Sequence, residues 1–384
     1  MRGTVEVYRE HCPNPVSERP VGCPSAEECM DELRQSCRHF EESVAIEKRL
    51  QNPSGGVDEV LVHWGDAEAS MMQIVMDGAS SERDGQPLPE VVLQRALALC
   101  SNACGKYSEA LASATSTGGS DADTLRLQAG AVVNFLDWAV PESPPAVAGG
   151  ACLGFPPEAL FSKGEEAVGV LLGLDGGNTG GLLARGDLCR LRARVAMLSG
   201  AGLQEEGRWR EESVQCFARA VEGSPQDGEA LSAAGEGSLE YGRRSLSLYR
   251  DAMVAASGGV PPAMSPGLNG EAIRVSGLTR LQEAGNLLSR AASTDPSDTD
   301  SAYNAACAFA LSLDHGSCAA AFTEYCRRLT GNALGTGGGG RAQRESARRS
   351  LQEVASDGDL QGVSGTEWFV ALVRGADAAL SASA

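Results

Sequence analysis

Apolar side chains recur at intervals of three and four residues along most of this chain, which is the spacing of one face of an α-helix. The clearest stripe lies in residues 57–76 and consists of Val60, Leu61, Trp64, Ala67, Met71 and Ile74. No window shows the sustained apolar–polar alternation that is typical of a strand. The pattern predicts an all-α fold without significant sheet, in which antiparallel helical hairpins bury their faces against one another as an α-solenoid.

Stretches rich in glycine and proline separate the predicted helices. The first helix begins at a capping-box signal, in which Ser25 stands three positions before Glu28. Gly242 falls between two of the later helices. The predicted helices cover 26–51, 57–76, 89–114, 122–139, 157–173, 180–199, 207–223, 227–241, 243–257, 269–277, 279–293, 299–313, 316–329 and 341–355.

Shifts in composition divide the chain into successive segments. The segments are an N-terminal extension with one helix (1–56), divergent hairpins (57–140), a Pro/Gly-rich loop (141–156), helical repeats (157–330), a glycine linker (331–340) and C-terminal capping helices (341–384).

The chain is strongly acidic, since 51 Asp and Glu against 32 Lys and Arg give a formal net charge of −19. This charge disfavours nucleic acid as the main partner, because phosphate binding requires basic clusters. It also disfavours an anionic membrane surface. No uncharged apolar stretch reaches the ~20 residues of a membrane helix, so the sequence predicts no direct membrane insertion.

Most of the twelve cysteines fall in predicted helices, where a free thiol behaves as a small apolar residue. Residues 1–40 contain no apolar run of a secretory signal. We therefore expect a soluble protein of a reducing intracellular compartment: the cytoplasm, or an organelle matrix if a presequence has been removed. A group of cysteines and histidines near the N-terminus is compatible with free thiols, with a disulfide or with a zinc site. Its members are His11, Cys12, Cys23, Cys29, Cys37 and His39.

A repeat signal surrounds Pro225 and Pro296, which are 71 residues apart and have small and bulky neighbours at helical spacing. A looser version of the pattern occurs nearer the N-terminus. The predicted packing positions are Leu61, Trp64, Gly65, Ala103, Tyr107, Ala110, Phe217, Ala220, Pro225, Leu231, Gly235, Ala284, Leu288, Ala291, Pro296, Ala306, Phe309 and Phe322. They resemble the tetratricopeptide repeat, a helical hairpin of 34 residues, across 57–330 and most clearly in 211–330. The 71-residue interval is close to two such units with a small insertion.

The resemblance implies a non-catalytic scaffold or assembly subunit that binds other proteins within a larger complex. Some arrays of this family grip the acidic tails of heat-shock proteins through lysine, asparagine and arginine. That clamp is not expected here, because the only lysines are Lys48, Lys106 and Lys163 and none stands at a matching position. The partner protein is not identified by the sequence.

Two alternatives to the scaffold remain. An organellar RNA-associated helical-repeat factor is motivated by Arg341, Arg344, Arg348 and Arg349, although nearby acidic residues favour a solvated helix face. An enzyme on an α-solenoid has no catalytic set to support it. Glycine runs at 173–181 and 335–340 lack the Gly-Lys-Ser/Thr of a phosphate loop, so no catalytic, cofactor or metal residue is predicted.

Overall fold

A computed structural model describes residues 25–50, 57–80, 89–116, 122–141, 155–256, 270–334 and 341–382 of the chain. These ranges form thirteen α-helices and one short 3-10 helix and contain no strand, which confirms the predicted all-α class. None of the helices in these ranges combines the length and apolar character that a membrane crossing demands. The chain divides into two compact units, 1–209 and 210–384, and each is described by itself.

Helices of the first unit begin and end close to the predicted residues. Their bounds are α1 Ala26–Leu50, α2 Val57–Ser80, α3 Glu90–Ser116, α4 Ala122–Ala139, α5 Glu158–Leu174 and α6 Thr179–Ser199, and α7 (Leu203–Gly223) begins in this unit. The capping box is confirmed: the Glu28 N–H donates to Ser25 Oγ at 3.0 Å, and the Ser25 N–H donates to Glu28 Oε2 at 2.5 Å.

The core of the first unit is built from the facing apolar stripes of its helices. Its fully buried side chains include Met72 of α2, Phe135 of α4, Phe161 of α5 and Leu191 of α6. Phe155, just before α5, packs edge-on against Phe135 with the ring centroids 5.4 Å apart. The stripes that the periodicity predicts are therefore buried by neighbouring helices.

The second unit holds the remaining elements. After α7 come α8 Gly228–Ala256, α9 Gly270–Thr294, α10 Thr299–Leu311, α11 His315–Leu334, α12 Arg341–Ser356, a 3-10 helix at Gly358–Leu360 and α13 Glu367–Ala382. Phe322 of α11 is fully buried and stacks on Phe369 of α13 with the ring centroids 4.6 Å apart. The C-terminal helix thus covers an apolar face of α11.

One part of the sequence-based prediction is wrong in this unit. The sequence predicts two helices within 227–257, separated at Gly242, and two more within 269–293. The structure has one continuous helix in each range, α8 in the first and α9 in the second. A Cβ at Gly242 would lie 2.5 Å from Leu281 Cγ and 3.1 Å from the Gly277 carbonyl oxygen of α9. The glycine therefore permits a close approach of two helices, and the packing compensates its low helix propensity.

Between Pro225 and Pro296 the described residues, 225–256 and 270–296, form one helical hairpin rather than two. It consists of α8 with 29 residues and α9 with 25, and these helices are too long for a hairpin of 34 residues in total. The next pair, α10 with 13 residues and α11 with 20, has the expected size. The 71-residue interval thus does not contain the two short units that the prolines predict.

Both prolines occupy the second position of a four-residue turn between helices. The turns are 224–227 and 295–298, and in each the N–H of the last residue donates to the carbonyl of the first, at 3.1 Å and 3.2 Å respectively. Proline suits this position because its fixed φ matches the turn. The prolines therefore shape the connections, while their rings remain exposed.

The last residue of each turn also caps the helix that follows. Asp227 and Asp298 each accept a hydrogen bond at Oδ1 from the N–H three residues on, at 3.3 Å and 2.9 Å. Asn178 does the same between α5 and α6, at 2.8 Å. The glycine run at 173–181 therefore includes a turn and a helix cap, which fits its lack of a phosphate-loop motif.

Candidate functional site

Most of the predicted packing positions are buried between helices. The buried ones are Leu61, Gly65, Ala103, Tyr107, Ala110, Phe217, Ala220, Leu231, Gly235, Ala284, Leu288, Ala291, Ala306, Phe309 and Phe322. Trp64 is half-buried, and Pro225 and Pro296 are exposed. Their assignment to one repeat family stays a prediction, because helical packing of any kind buries such residues.

In the first unit, the predicted positions Gly65 and Tyr107 meet directly. A Cβ at Gly65 would lie 2.5 Å from the Tyr107 ring, so only glycine leaves room for the ring at this crossing of α2 and α3. The Tyr107 hydroxyl donates to Asp66 Oδ1 at 2.9 Å. The ammonium of Lys106 lies 3.9 Å from the centroid of the Trp64 ring, within the range of a cation–π contact.

In the second unit, α8 carries glycines at every seventh position, which we call the glycine row: Gly228, Gly235 and Gly242. A Cβ at each would lie 2.5 Å from a side-chain atom of α9, namely an atom of Thr294, Leu288 or Leu281 in that order. Seven residues are almost two helical turns, so the glycine row lies on one face of α8. Gly235 is one of the packing positions predicted from the sequence, whereas the row as a whole was not predicted.

The basic group on α12 is partly neutralised by ion pairs. Arg341 Nε lies 2.7 Å from Glu345 Oε1, and Arg348 Nε lies 2.7 Å from Asp377 Oδ1 of α13. These contacts agree with the solvated, charge-balanced helix face that the sequence favours over an RNA-binding surface.

The predicted N-terminal group of cysteines and histidines is only partly described. Cys29 is buried and Cys37 is half-buried on α1, and His39 is exposed on the same helix. Burial, assisted by the charge of Glu68, raises the pKa of the Cys37 thiol to about 11. His11, Cys12 and Cys23 lie outside the described residues, so the choice among free thiols, a disulfide and zinc remains a prediction.

A pair of thiols lies in the core of the first unit. Cys100 and Cys104 stand one turn apart on α3, and both are fully buried. Cys100 Sγ donates to the Ala131 carbonyl at 3.6 Å. The interaction between the two thiols raises the pKa of Cys100 and lowers that of Cys104, and the charge of Lys163 favours the thiolate of each.

The second unit contains a mixed group of thiol and carboxylates that the sequence analysis did not find. Cys307 of α10, Asp357 just before the 3-10 helix and Asp359 within that helix each place one ligand atom within 4.8 Å of the others. We call these three residues the thiol–carboxylate cluster. Fifty sequence positions separate Cys307 from Asp357, so no local motif could have indicated it.

Neighbouring groups hold the two carboxylates in place. The Asp359 N–H donates to Asp357 Oδ1 at 2.7 Å, and the Tyr303 hydroxyl of α10 donates to Asp357 Oδ2. The guanidinium of Arg243, from α8, forms an ion pair with Asp359 Oδ2. Groups from separate elements therefore orient both acids.

Burial and negative charge together set the protonation of this cluster. Cys307 is completely buried, and burial followed by the charges of Asp359 and Asp357 raises the pKa of its thiol to about 12. Burial likewise raises the pKa of the Tyr303 hydroxyl. At neutral pH the cluster therefore holds a neutral thiol beside two acidic side chains, of which Asp359 forms an ion pair with Arg243.

Comparisons with known proteins add no relative. No protein-family model matches the chain, and no curated protein matches it either.

Proposed function

We propose that this chain is a non-catalytic scaffold or assembly subunit that binds another protein through helical hairpins similar to tetratricopeptide repeats. The supporting hairpin is α10–α11, whose helices of 13 and 20 residues have the size of that repeat. The tight packing of glycine against Leu288 and Leu281 gives α8–α9 the rigidity that an interaction surface requires.

The observation that carries this proposal is a set of exposed apolar side chains at one end of the α8–α9 hairpin. Met253 and Val254 of α8 are 54% and 63% exposed, and Val275 of α9 is 51% exposed. α8 and α9 run antiparallel, so the C-terminal end of α8 and the N-terminal end of α9 lie at the same end of the hairpin. Exposed apolar side chains toward one end of a hairpin favour a protein partner over a purely solvated surface.

The charge of the chain restricts the class of partner. A formal net charge of −19 favours association with a basic protein, because opposite net charges raise the rate of encounter. The expected partner therefore has a net positive charge and places apolar side chains against Met253, Val254 and Val275. RNA is the weaker candidate, since Arg341 and Arg348 already pair with carboxylates.

The test compares two variants of the full chain in an extract of its native source. The first variant carries Met253→Ser, Val254→Ser and Val275→Ser, and the control carries Val91→Ser, which is 80% exposed on α3 of the first unit. Quantitative mass spectrometry should find a basic protein at near-stoichiometric amount with the wild type and the control. The same protein should be lost from the triple variant, and its association should weaken as salt rises.

Two results would contradict the proposal. If light scattering shows that the wild-type chain stays a single unpartnered species in the extract, the scaffold function fails. If the partner binds the triple variant as well as it binds the wild type, the apolar end of α8–α9 is not the surface. Salt-dependent RNA binding in place of a protein would favour the alternative.

A further inference from the structure

We propose that Cys307, Asp357 and Asp359 bind one divalent transition-metal ion, for which Zn²⁺ is the best match. The inference does not depend on the scaffold function. It starts from the placement of three ligand atoms from separate segments of the second unit within 4.8 Å of one another.

The spacing of the ligand atoms is close to what a zinc site needs. Zn–S distances near 2.3 Å and Zn–O distances near 2.1 Å place tetrahedral ligand atoms about 3.3 to 3.7 Å apart. The ligand atoms must therefore approach by about 1 Å, which rotation of the two half-buried Asp side chains can supply. Cys307, held in α10, offers the fixed side of the site.

Charge also favours a cation at this position. Asp359 forms an ion pair with Arg243, whose side chain is 37% exposed, whereas Asp357 accepts hydrogen bonds from two neutral groups, the Tyr303 hydroxyl and the Asp359 N–H. A divalent ion compensates the second carboxylate and the thiolate that forms when the ion displaces the Cys307 proton to solvent. The balance is one ion bound and one proton released for each chain.

The kind of ligand selects the ion. Thiolate is a soft ligand that prefers zinc and related ions, whereas Mg²⁺ and Ca²⁺ require six or more oxygen ligands. Three protein ligands leave the fourth tetrahedral position to water, on the side where the Asp357 and Asp359 carboxylates are partly exposed.

The hydrogen bonds around the cluster are compatible with a bound ion. Asp359 Oδ1 can face the metal while Oδ2 keeps its pair with Arg243. Asp357 can keep its bond from the Asp359 N–H at Oδ1 while Oδ2 turns toward the metal beside the Tyr303 hydroxyl. Such partners orient ligands in many metal sites and strengthen binding. A bound ion would tie the 3-10 helix to α10.

The experiment is a Co²⁺ titration of the reduced full chain followed by absorption spectroscopy. A thiolate ligand gives a charge-transfer band in the near ultraviolet, and tetrahedral geometry gives intense visible bands. The wild type should bind one thiolate-ligated Co²⁺, and Zn²⁺ should displace it. The Cys318→Ala variant is the matched control, because Cys318 is also fully buried, on the neighbouring helix α11.

Two substitutions decide the result. Cys307→Ala should abolish the charge-transfer band, and Asp359→Asn should weaken Co²⁺ affinity by about tenfold or more. Circular dichroism checks that each variant remains helical. If Cys307→Ala does not fold, the Co²⁺ titration of Asp359→Asn decides the test. Absence of a thiolate band in the wild type, or an unchanged titration of Asp359→Asn, would overturn the proposal.

Discussion

Two helix pairs, α2–α3 in the first unit and α8–α9 in the second, both place glycine opposite a large side chain, but they differ in what surrounds it. At the α2–α3 crossing the obstacle is one aromatic ring, Tyr107, anchored by its hydroxyl to Asp66 at 2.9 Å. Along α8–α9 the close approaches repeat at every seventh residue, and one of them brings Gly242 near the backbone of Gly277.

The difference shows two ways of holding helices together. The contact in α2–α3 depends on one ring and its polar anchor, so a change there has a local consequence. In α8–α9 the glycine row keeps two helices close over four turns, and at Gly235 and Gly242 an added Cβ would also lie within 3.2 Å of a backbone atom of α9. Sensitivity to substitution should therefore be greater in α8–α9.

The largest effect is expected for Gly242→Ala in the second unit. The new methyl group would contact Leu281, which is fully buried, and the Gly277 carbonyl. We expect a loss of about 2 kcal/mol in the free energy of unfolding, because overpacking outweighs the helix propensity of alanine. Urea unfolding followed by circular dichroism measures the loss, and hydrogen exchange locates it to α8 and α9.

A control glycine makes this prediction specific. Gly105 lies inside α3, and a Cβ there would meet nothing within 4 Å. Gly105→Ala should therefore stabilise the protein by about 0.5 to 1 kcal/mol. If Gly242→Ala stabilises the protein as Gly105→Ala does, close packing against α9 is not the reason that glycine is required at position 242.

The next effect belongs to Gly65→Ala in α2. Its methyl group would lie 2.5 Å from the Tyr107 ring, and the expected loss is about 1 to 2 kcal/mol. The ring is a single side chain, so Tyr107→Leu should relieve part of the cost. A double-mutant cycle should give a coupling of at least about 0.5 kcal/mol. Additive effects of the two substitutions would show that the ring is not the obstacle.

A smaller effect is expected for Tyr107→Phe, which keeps the ring and removes only the hydroxyl. The hydrogen bond to Asp66 should contribute about 1 kcal/mol to the free energy of unfolding. Urea unfolding of the variant checks this value, with Tyr249→Phe in the partly exposed part of α8 as the control. A loss as large as that of Gly65→Ala would mean that the polar anchor, not the shape of the ring, dominates the crossing.

The helices of this fold can be predicted from the sequence, but only part of their packing can. Periodicity locates α4 at the observed residues 122–139, and the Ser25 capping box is observed as predicted. Gly242 is misread because the local propensity of glycine favours a break, whereas its heptad spacing with Gly235 indicates a helix contact. That spacing was visible in the sequence, but the facing residue Gly277 is brought near only by the fold.

The thiol–carboxylate cluster could not be predicted for a related reason. Cys307 has the pattern of an ordinary buried cysteine in a helix, and Asp357 that of a helix or turn cap. Their proximity depends on how α12 and the 3-10 helix return to α10, which no local signal specifies. Sequence reasoning therefore finds functional groups in motifs and misses those assembled from distant segments.

The smallest expected effects are changes in the free energy of unfolding with pH. They should have opposite signs for Glu68 in the first unit and Glu324 in the second. Burial raises the pKa of Glu68 of α2 above 4.5, against the opposing hydrogen bond from Asn102 and the charge of Lys106. The folded state therefore favours its protonated form. Its contribution to stability is present below pH 4.5 and is lost as the pH rises through the folded pKa. Glu68→Gln should consequently stabilise the protein at pH 7 more than at pH 4.

Glu324 of α11 provides the opposite case in the second unit. Hydrogen bonds from Arg327 and Arg328 lower its pKa from 4.5 to about 2. Its contribution is present above pH 4.5 and is lost as the pH falls from there toward 2. Because Glu324 is 34% exposed, solvent screening keeps the effect below about 1 kcal/mol. Urea unfolding at pH 7, 4 and 3 should show that the destabilisation caused by Glu324→Gln is largest at pH 7 and shrinks as the pH falls. Equal pH profiles for Glu324→Gln and Glu68→Gln would show that burial at Glu68 and ion pairing at Glu324 do not shift the two carboxyl groups in opposite directions.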